Sequence, residues 1–250
     1  VQVEHLSGSR IETYYQCQLK YHGIYDLGMR GETHPLTLMG SGVHYMFEHA
    51  TNARIGVSKG SKDPMDYKDA AVKEYGVDED LWPLMGQLVE NGIGWGYFRM
   101  VSKTVGCEVG LDFELSDGTK VVGYIDRLDV DYPTADVIDL KTQKREFDDT
   151  ELAKKWQGRI YNIGARRLYP NITGKVSASF WVLRHRVQRV WFTADNGKSD
   201  EQELMRIADE IRGCKEPKPS PSGLCPWCPM YGKCKASRQG VKARFKHRRT

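Results

Sequence analysis

Long apolar runs are missing from this 250-residue chain. Its mean hydropathy is negative, and no window approaches the roughly 20 uninterrupted apolar residues of a spanning helix, which excludes a membrane-embedded protein. The opening stretch, Val1 to Arg10, has no apolar core behind a basic lead, so no secretory leader is expected there and the cytoplasm is the expected compartment. Cysteines number six, too few to build a disulfide scaffold in a chain of this length. Internal repeats are absent. So is any Gly-x4-Gly-Lys-Ser/Thr loop, which excludes a nucleotide-driven motor.

What is present suffices for a sizeable core: 40% of residues are hydrophobic, 28% charged and 10% aromatic. The formal net charge of +4 is unevenly spread. The last sixteen residues, Lys235 to Thr250, hold seven Lys/Arg and no acid, leaving thirty basic against thirty-three acidic residues before them. A cationic tail on a slightly acidic body suits a phosphate-tracking appendage, and equally a solvated terminus.

Three consecutive segments are expected. Residues 1–100 read as helical, with Ser7 or Ser9 capping a helix toward Leu19, Gly40-Ser-Gly opening a second through His44, Phe47 and Glu48, Asp63-Pro64 starting a third, and a fourth from Asp78 to about Met100. Residues 101–213 form the core. Val109, Leu111, Phe113 and Leu115 alternate as a strand does, Ser116-Asp117-Gly118 supplies a turn, and a strand returns through Val121 to Val130. Asp136 to Lys141 reads as a central strand, Thr150 to Leu168 as a helix, Val176–Arg184 and Val187–Thr193 as a strand pair, and Ser199–Arg212 as an amphipathic helix. Residues 214–250 follow as a Pro/Ser/Gly linker, a cysteine cluster and the basic tail. The sum is an α/β fold, a mixed sheet flanked by helices, forming one compact domain overall.

The chemistry concentrates in Gly123-Tyr-Ile-Asp126-Arg127 and, thirteen residues on, Asp139-Leu140-Lys141. On a strand, residues i and i+2 share a face, so Asp139 and Lys141 point the same way and a neighbouring strand can bring Asp126 beside them. Two carboxylates suit a hard divalent cation such as Mg²⁺, and a nearby ammonium can orient or deprotonate an attacking water. An isolated Asp-x-Lys pair would be an ordinary salt bridge. Here His44 and Glu48 stand four apart on one helical face upstream, and Gln157 and Tyr161 repeat that spacing downstream. Singly, His44 fits an interior histidine and Tyr161 a core aromatic.

Cys225-x-x-Cys228-x5-Cys234 with the remote Cys17 supplies four thiolates, enough for one [4Fe-4S] cluster, with a zinc site as the alternative. Such a centre would staple the start of the chain to its end. Cys107 and Cys214 read as ordinary thiols, Cys214 being the substitute should one of the four be misassigned.

Taken in order, these residues resemble the PD-(D/E)XK nuclease superfamily, and within it the RecB-like iron-sulfur exonuclease branch that includes CRISPR-associated iron-sulfur exonucleases, the AddB nuclease domain and phage-encoded relatives. The resemblance implies a restriction-endonuclease-like fold with an N-terminal helical region and a C-terminal iron-sulfur segment. It implies that His44, Asp126 and Asp139 hold Mg²⁺ or Mn²⁺ together with the backbone carbonyl of Leu140, that Lys141 assists the nucleophilic water, and that Gln157 and Tyr161 contact DNA or support the lysine. Glu108 matches an acidic position common in the branch, and Asp139 stands where many members have Glu. The division of the cysteines into one and three also matches, which favours iron-sulfur over zinc for Cys17, Cys225, Cys228 and Cys234.

The resemblance further implies an exonuclease acting on single-stranded DNA or DNA ends, with 5′-to-3′ polarity the more frequent. Its setting would be recombination, repair, or phage or CRISPR DNA processing. A helicase, recombinase or annealing partner and a homo-oligomer are compatible with it. Trp156, Arg159, Arg166 and Arg167 on the helix after Lys141 are the candidates for stacking bases and tracking phosphates, with Trp95, Tyr97 and Arg99 before the strands; most of these aromatics fit the core instead, and the helix arginines equally fit a solvated face. The competing reading is a catalytically idle iron-sulfur adaptor that binds DNA within a larger complex. The complete set of His44, Asp126, Asp139 and Lys141 argues against it.

Overall fold

Residues 1 and 3–237 are described by the computed structural model of the chain. Most of the basic tail falls at 238–250, outside the described residues. These residues divide into two compact units, one of residues 1–32, 114–121 and 201 onward, the other of residues 33–113 and 122–200. The units cut across the three consecutive segments expected from the sequence, because the first 32 residues group with the chain's last part and not with the helices that follow them.

In the first unit, α1 (Gly8–Gln16) begins where the Ser7 hydroxyl accepts the Arg10 N–H at 3.3 Å, as expected of that cap. It ends at Cys17, which is extended, before α2 (Gln18–Tyr21). Leu6 bridges to Val121 beside the turn at Ser116-Asp117-Gly118. There Gly118 takes φ of 80°, and the Asp117 carboxylate accepts the Thr119 N–H at 2.9 Å.

The second unit carries α3 (Pro35–Arg54), α4 (Lys68–Tyr75), α5 (Trp82–Gly94), α6 (Asp149–Leu152) and α7 (Trp156–Leu168), and a last helix, α8 (Ala194–Gly213), starts within it. The sheet comprises β1 (Thr104–Glu114), β2 (Lys120–Asp131), β3 (Thr134–Lys141), β4 (Val176–Val182) and β5 (Arg186–Phe192), in spatial order β1-β2-β3-β4-β5. It is mixed: β2 and β3 are antiparallel, β3 and β4 parallel, β4 and β5 antiparallel. The parallel pair requires the crossover that α7 makes, and α7 packs on β3, β4 and β5. On the other side of the sheet Met39, Val43, Met46 and Phe47 of α3 meet Met85, Leu88 and Val89 of α5 over Ile138, Leu140 and Trp181.

Several helices depart from expectation, among them α8, which begins at Ala194 and not Ser199. α3 starts at Pro35, one turn before Gly40, because the His34 imidazole accepts the Leu36 N–H and Pro35 fits the first helical position. Gly42 serves packing instead, since a Cβ there would lie 3.0 Å from Met85 Sδ. The helix expected up to Met100 stops at Gly94 and gives way to a turn in which Gly96 has φ of 88°. The stretch from Thr150 breaks into α6 and α7, with Lys155 extended between them. Among the described residues, no helix is long and apolar enough to cross a membrane.

Candidate active site

Strand β3 presents the central residues. The β2–β3 ladder runs from Asp131↔Thr134 to Arg127↔Ile138, and there the regular pairing stops. Beyond it the Asp126 carboxylate takes the place of a ladder carbonyl and accepts the Leu140 N–H at 2.6 Å. Simple alternation would send Asp126 and Arg127 to opposite faces of the sheet. Instead Asp126 reaches His44 of α3, and Arg127 donates to the carbonyl of Tyr97 just past α5, so both serve one side, as a β-bulge re-aims a strand beside a site.

Among the described residues, Arg127 is the largest fully buried side chain. Its Nε and Nη2 meet the two oxygens of Asp129 at 2.8 and 2.7 Å, and its guanidinium lies 4.9 Å from the Tyr97 ring centroid. This bidentate pairing satisfies the buried charge and fixes β2 next to Asp126. Asp129 stands two residues from Arg127, but an Arg-x-Asp spacing alone does not distinguish a buried fork from a surface pair.

His44 hangs from α3 over the end of β3. Its Nδ1 lies 3.4 Å from Asp126 Oδ2, and its Nε2 lies 3.1 Å from the Leu140 carbonyl oxygen. Burial alone would lower the imidazole pKa, but the Asp126 carboxylate, through charge and hydrogen bond, raises it to about 9. Burial likewise works against ionised Asp126, yet His44, Lys141 and the Leu140 N–H hold that carboxyl below the ordinary aspartate value.

Asp139 faces the other way, toward α7. Its Oδ2 lies 2.7 Å from Lys141 Nζ, an ion pair without the alignment of a hydrogen bond. Its Oδ1 accepts from Gln157 Nε2 at 2.5 Å and from the Tyr161 hydroxyl at 3.3 Å. Gln157 also donates to the Tyr161 oxygen at 2.7 Å, and Tyr161 donates to the Tyr124 carbonyl at 2.5 Å. Burial pushes Asp139 up to about 6 despite the pull of Lys141, with the Asp126 charge adding to the rise.

Glu108 completes the cluster. Donor atoms of His44, Glu108 and Asp126 all lie within 4.8 Å of one another. Glu108 has φ of 47°, a left-handed conformation that breaks the alternation of β1 at this residue. Partial burial and the Asp126 charge raise its carboxyl to about 7. Two carboxylates and an imidazole form a donor set that a divalent ion such as Mn²⁺ or Mg²⁺ fits, and the clustered, mutually perturbed charges are what such an ion would neutralise. The surrounding cavity, about 650 Å³, is lined by His44, Glu48, Glu108, Lys141 and Arg184 among others.

Of the four ligands that the resemblance implies, the structure therefore brings His44, Asp126 and the Leu140 carbonyl together and turns Asp139 toward Lys141, Gln157 and Tyr161. Glu108 takes the third position of the cluster. The resemblance matched Glu108 to an acidic position but not to the ligand set, since a glutamate on an alternating strand faces either side until the backbone turns it.

The candidate DNA contacts fare differently. Trp156 is buried, with the Arg159 guanidinium 3.8 Å from its ring centroid. Arg159 is paired to Asp200 through Nε at 2.8 Å and Nη2 at 2.5 Å. Arg166 donates to the carbonyls of Ile172 and Gly174, each at 2.7 Å, closing the loop after α7. These three side chains are spent on the fold, which corrects the expectation that they face DNA. Arg167 is exposed, stacked on Phe113 at 4.7 Å. Tyr97 is buried in the core under α3.

In the first unit, Cys17, Cys225, Cys228 and Cys234 line one cavity, none of them in a disulfide. Backbone N–H groups of Ser220 and Ser222 donate to the sulfurs of Cys17 and Cys225 at 3.3 and 3.2 Å. Burial raises the Cys228 thiol pKa.

A carboxylate-imidazole pocket with a lysine at the end of a central strand is the equipment of phosphodiester hydrolysis. The chain belongs to the PD-(D/E)XK nuclease superfamily, whose family model matches residues 5–235. These nucleases use divalent metals and act on DNA. Among solved structures, a candidate exonuclease from Eubacterium rectale superposes with a TM-score of 0.58 at 15% identity, over 94% of this chain and 88% of its own, a likeness of fold. A second, SSO0001, gives a TM-score of 0.38 at 17% identity over 88% of this chain and 94% of its own. No curated protein matches the chain.

Proposed function

We propose that this protein is a divalent-metal-dependent exonuclease that hydrolyses the phosphodiester bonds of single-stranded DNA or DNA ends, with 5′-to-3′ polarity. The observation that carries the reading is the meeting of His44, Glu108 and Asp126, of which His44 and Glu108 line one cavity together with Lys141. A bound Mg²⁺ or Mn²⁺ would supply Lewis-acid polarisation of the phosphate and of a water. The residues do the rest. Asp126 and Glu108 hold negative charge where a cation is wanted, and His44 ties α3 to β3. Lys141 presents an ammonium at the pocket wall, where it can orient the attacking water or balance developing charge. Gln157 and Tyr161 hold Asp139, and through it Lys141, in place.

The four cysteines hold a structural [4Fe-4S] cluster in this reading. In support, Cys17, Cys225, Cys228 and Cys234 line one cavity of the first unit, in the one-and-three division that the resemblance carries. The polar N–H···S contacts are of the kind that tune cluster thiolates. A cluster that needs reducing surroundings fits the cytoplasm. Recombination, repair, or phage or CRISPR DNA processing is the setting proposed, with unwinding left to a helicase partner.

The test is degradation of single-stranded DNA labelled at either end, with Mg²⁺ or Mn²⁺, by wild type and Lys141→Ala. Metal-dependent loss that vanishes in the variant, with the 5′ label released first, is the expected result. Binding without cutting by both proteins would replace the enzyme with the adaptor reading.

A further inference from the structure

Tyr124 is the most exposed tyrosine in the protein at 64%, and it sits on β2 only two residues from Asp126. Alternation along β2 sets its direction: a Cβ on Gly123 would lie 3.7 Å from Tyr161 and 3.9 Å from Ile160, so Gly123 faces α7 and Tyr124 faces the opposite side, where Asp126 reaches His44. The residue of the neighbouring strand beside the ring has no side chain to cover it. That residue is Gly110, at which a Cβ would stand 3.7 Å from Tyr124 Cε1. One aromatic face thus rests beside a glycine while the rest is open to solvent.

The backbone under this ring is fixed by the catalytic network. The Tyr124 carbonyl accepts the Tyr161 hydroxyl, which also bonds Gln157 and Asp139. Among the described residues the Tyr124 hydroxyl has no hydrogen-bond partner, so nothing in the fold requires a tyrosine rather than a smaller polar residue on this exposed strand position. At about 3.3 Å per residue the ring's attachment lies roughly 7 Å along the strand from that of Asp126, close to the spacing of successive nucleotides in an extended strand.

We infer that Tyr124 is a stacking platform for the nucleobase next to the scissile phosphate, and that it makes the site selective for unpaired DNA. The inference rests on the nuclease reading above and deepens it. An unpaired base can leave its neighbours and lie on the ring, whereas a base inside a duplex is already stacked and paired and gains nothing by moving. Because any base has a π-face, the platform discriminates strandedness without reading sequence. Tyr124 touches substrate but moves no proton, so its contribution belongs to binding of the ground state and transition state alike.

The experiment compares wild type, Tyr124→Ala and Tyr124→Phe. Binding of a fluorescent oligothymidylate is read in EDTA, where cleavage plays no part, and KM and kcat are then read with Mn²⁺. Tyr124→Ala should weaken oligonucleotide binding and raise KM by about tenfold with kcat little changed, while Tyr124→Phe keeps wild-type values, since the ring and not the hydroxyl stacks. An oligonucleotide with a run of abasic sites should bind wild type and Tyr124→Ala equally. Unchanged binding in Tyr124→Ala overturns the inference, as does an equal defect in Tyr124→Phe or an undiminished loss on the abasic strand. Should wild type fail to cut DNA with any metal, the nuclease reading falls, and the EDTA binding series still decides whether the ring stacks bases.

Discussion

Lys141 Nζ and Asp139 Oδ2 lie 2.7 Å apart, at the end of the strand that also carries the Leu140 amide and carbonyl to Asp126 and His44. Three consecutive residues thus divide between two jobs. Asp139 and Lys141 pair with each other and with α7, while the peptide of Leu140 ties the metal-type cluster together.

Removing the ammonium tests that division. Lys141→Ala should lower kcat for DNA hydrolysis by at least about 10²-fold while leaving oligonucleotide binding in EDTA within a factor of a few. Cleavage at wild-type rate by purified Lys141→Ala would remove the lysine from the chemistry.

Glu108 is expected to act through metal and not through the fold. Glu108→Gln keeps the shape and drops the charge, so the Mn²⁺ concentration for half-maximal activity should rise at least about tenfold. Thermal stability in EDTA should not fall, since this carboxyl is already raised to about 7 by its surroundings. An unaltered metal titration would place the ion on other residues.

The metal-free protein should lose stability as pH rises from 7 to above 9. The folded state holds the His44 proton to about 9 against an ordinary value of 6.5, so that contribution is fully present below pH 6.5 and is lost as pH passes the folded value. Glu108 and Asp139, raised to about 7 and about 6, act in the same sense at lower pH, and Asp126, lowered, in the opposite one. Melting temperatures in EDTA should therefore fall across this window for wild type and stay level for His44→Gln. Added Mn²⁺ should reverse the trend, because metal takes the deprotonated imidazole.

Cys228→Ala should abolish visible colour and bound iron and sulfide, and lower the melting temperature, because the proposed centre would join residues near both ends of the first unit. Colourless wild type carrying stoichiometric zinc would sink the iron-sulfur proposal.

Close packing of α7 on β1 gives a test of the fold alone. A Cβ on Gly164 would lie 2.5 Å from the Leu111 side chain, so Gly164→Ala should cost about 1–3 kcal/mol in denaturant unfolding. Adding Leu111→Ala to make room should recover part of that loss, a coupling that a double-mutant cycle reads directly. Strict additivity would mean the two residues do not contact.

Local chemistry sufficed for much of this protein. The apolar β3, the turn at Ser116-Asp117-Gly118, the Ser7 cap and the i, i+2 placement of Asp139 and Lys141 each follow from short-range sterics and periodicity, and they appear where the sequence puts them. The ordered set of motifs also sufficed for the superfamily. Tertiary structure alone decided the rest. Whether Asp126 or Asp139 faces His44 depends on an interrupted strand alternation, and whether Glu108 joins them depends on a single left-handed residue. Arg159 reads as a ligand for DNA until Asp200, 41 residues further along, claims it, and Arg166 until the loop just after α7 folds back onto it. Periodicity constrains a side chain to one face of its own element, but which partner waits on that face is set by long-range packing.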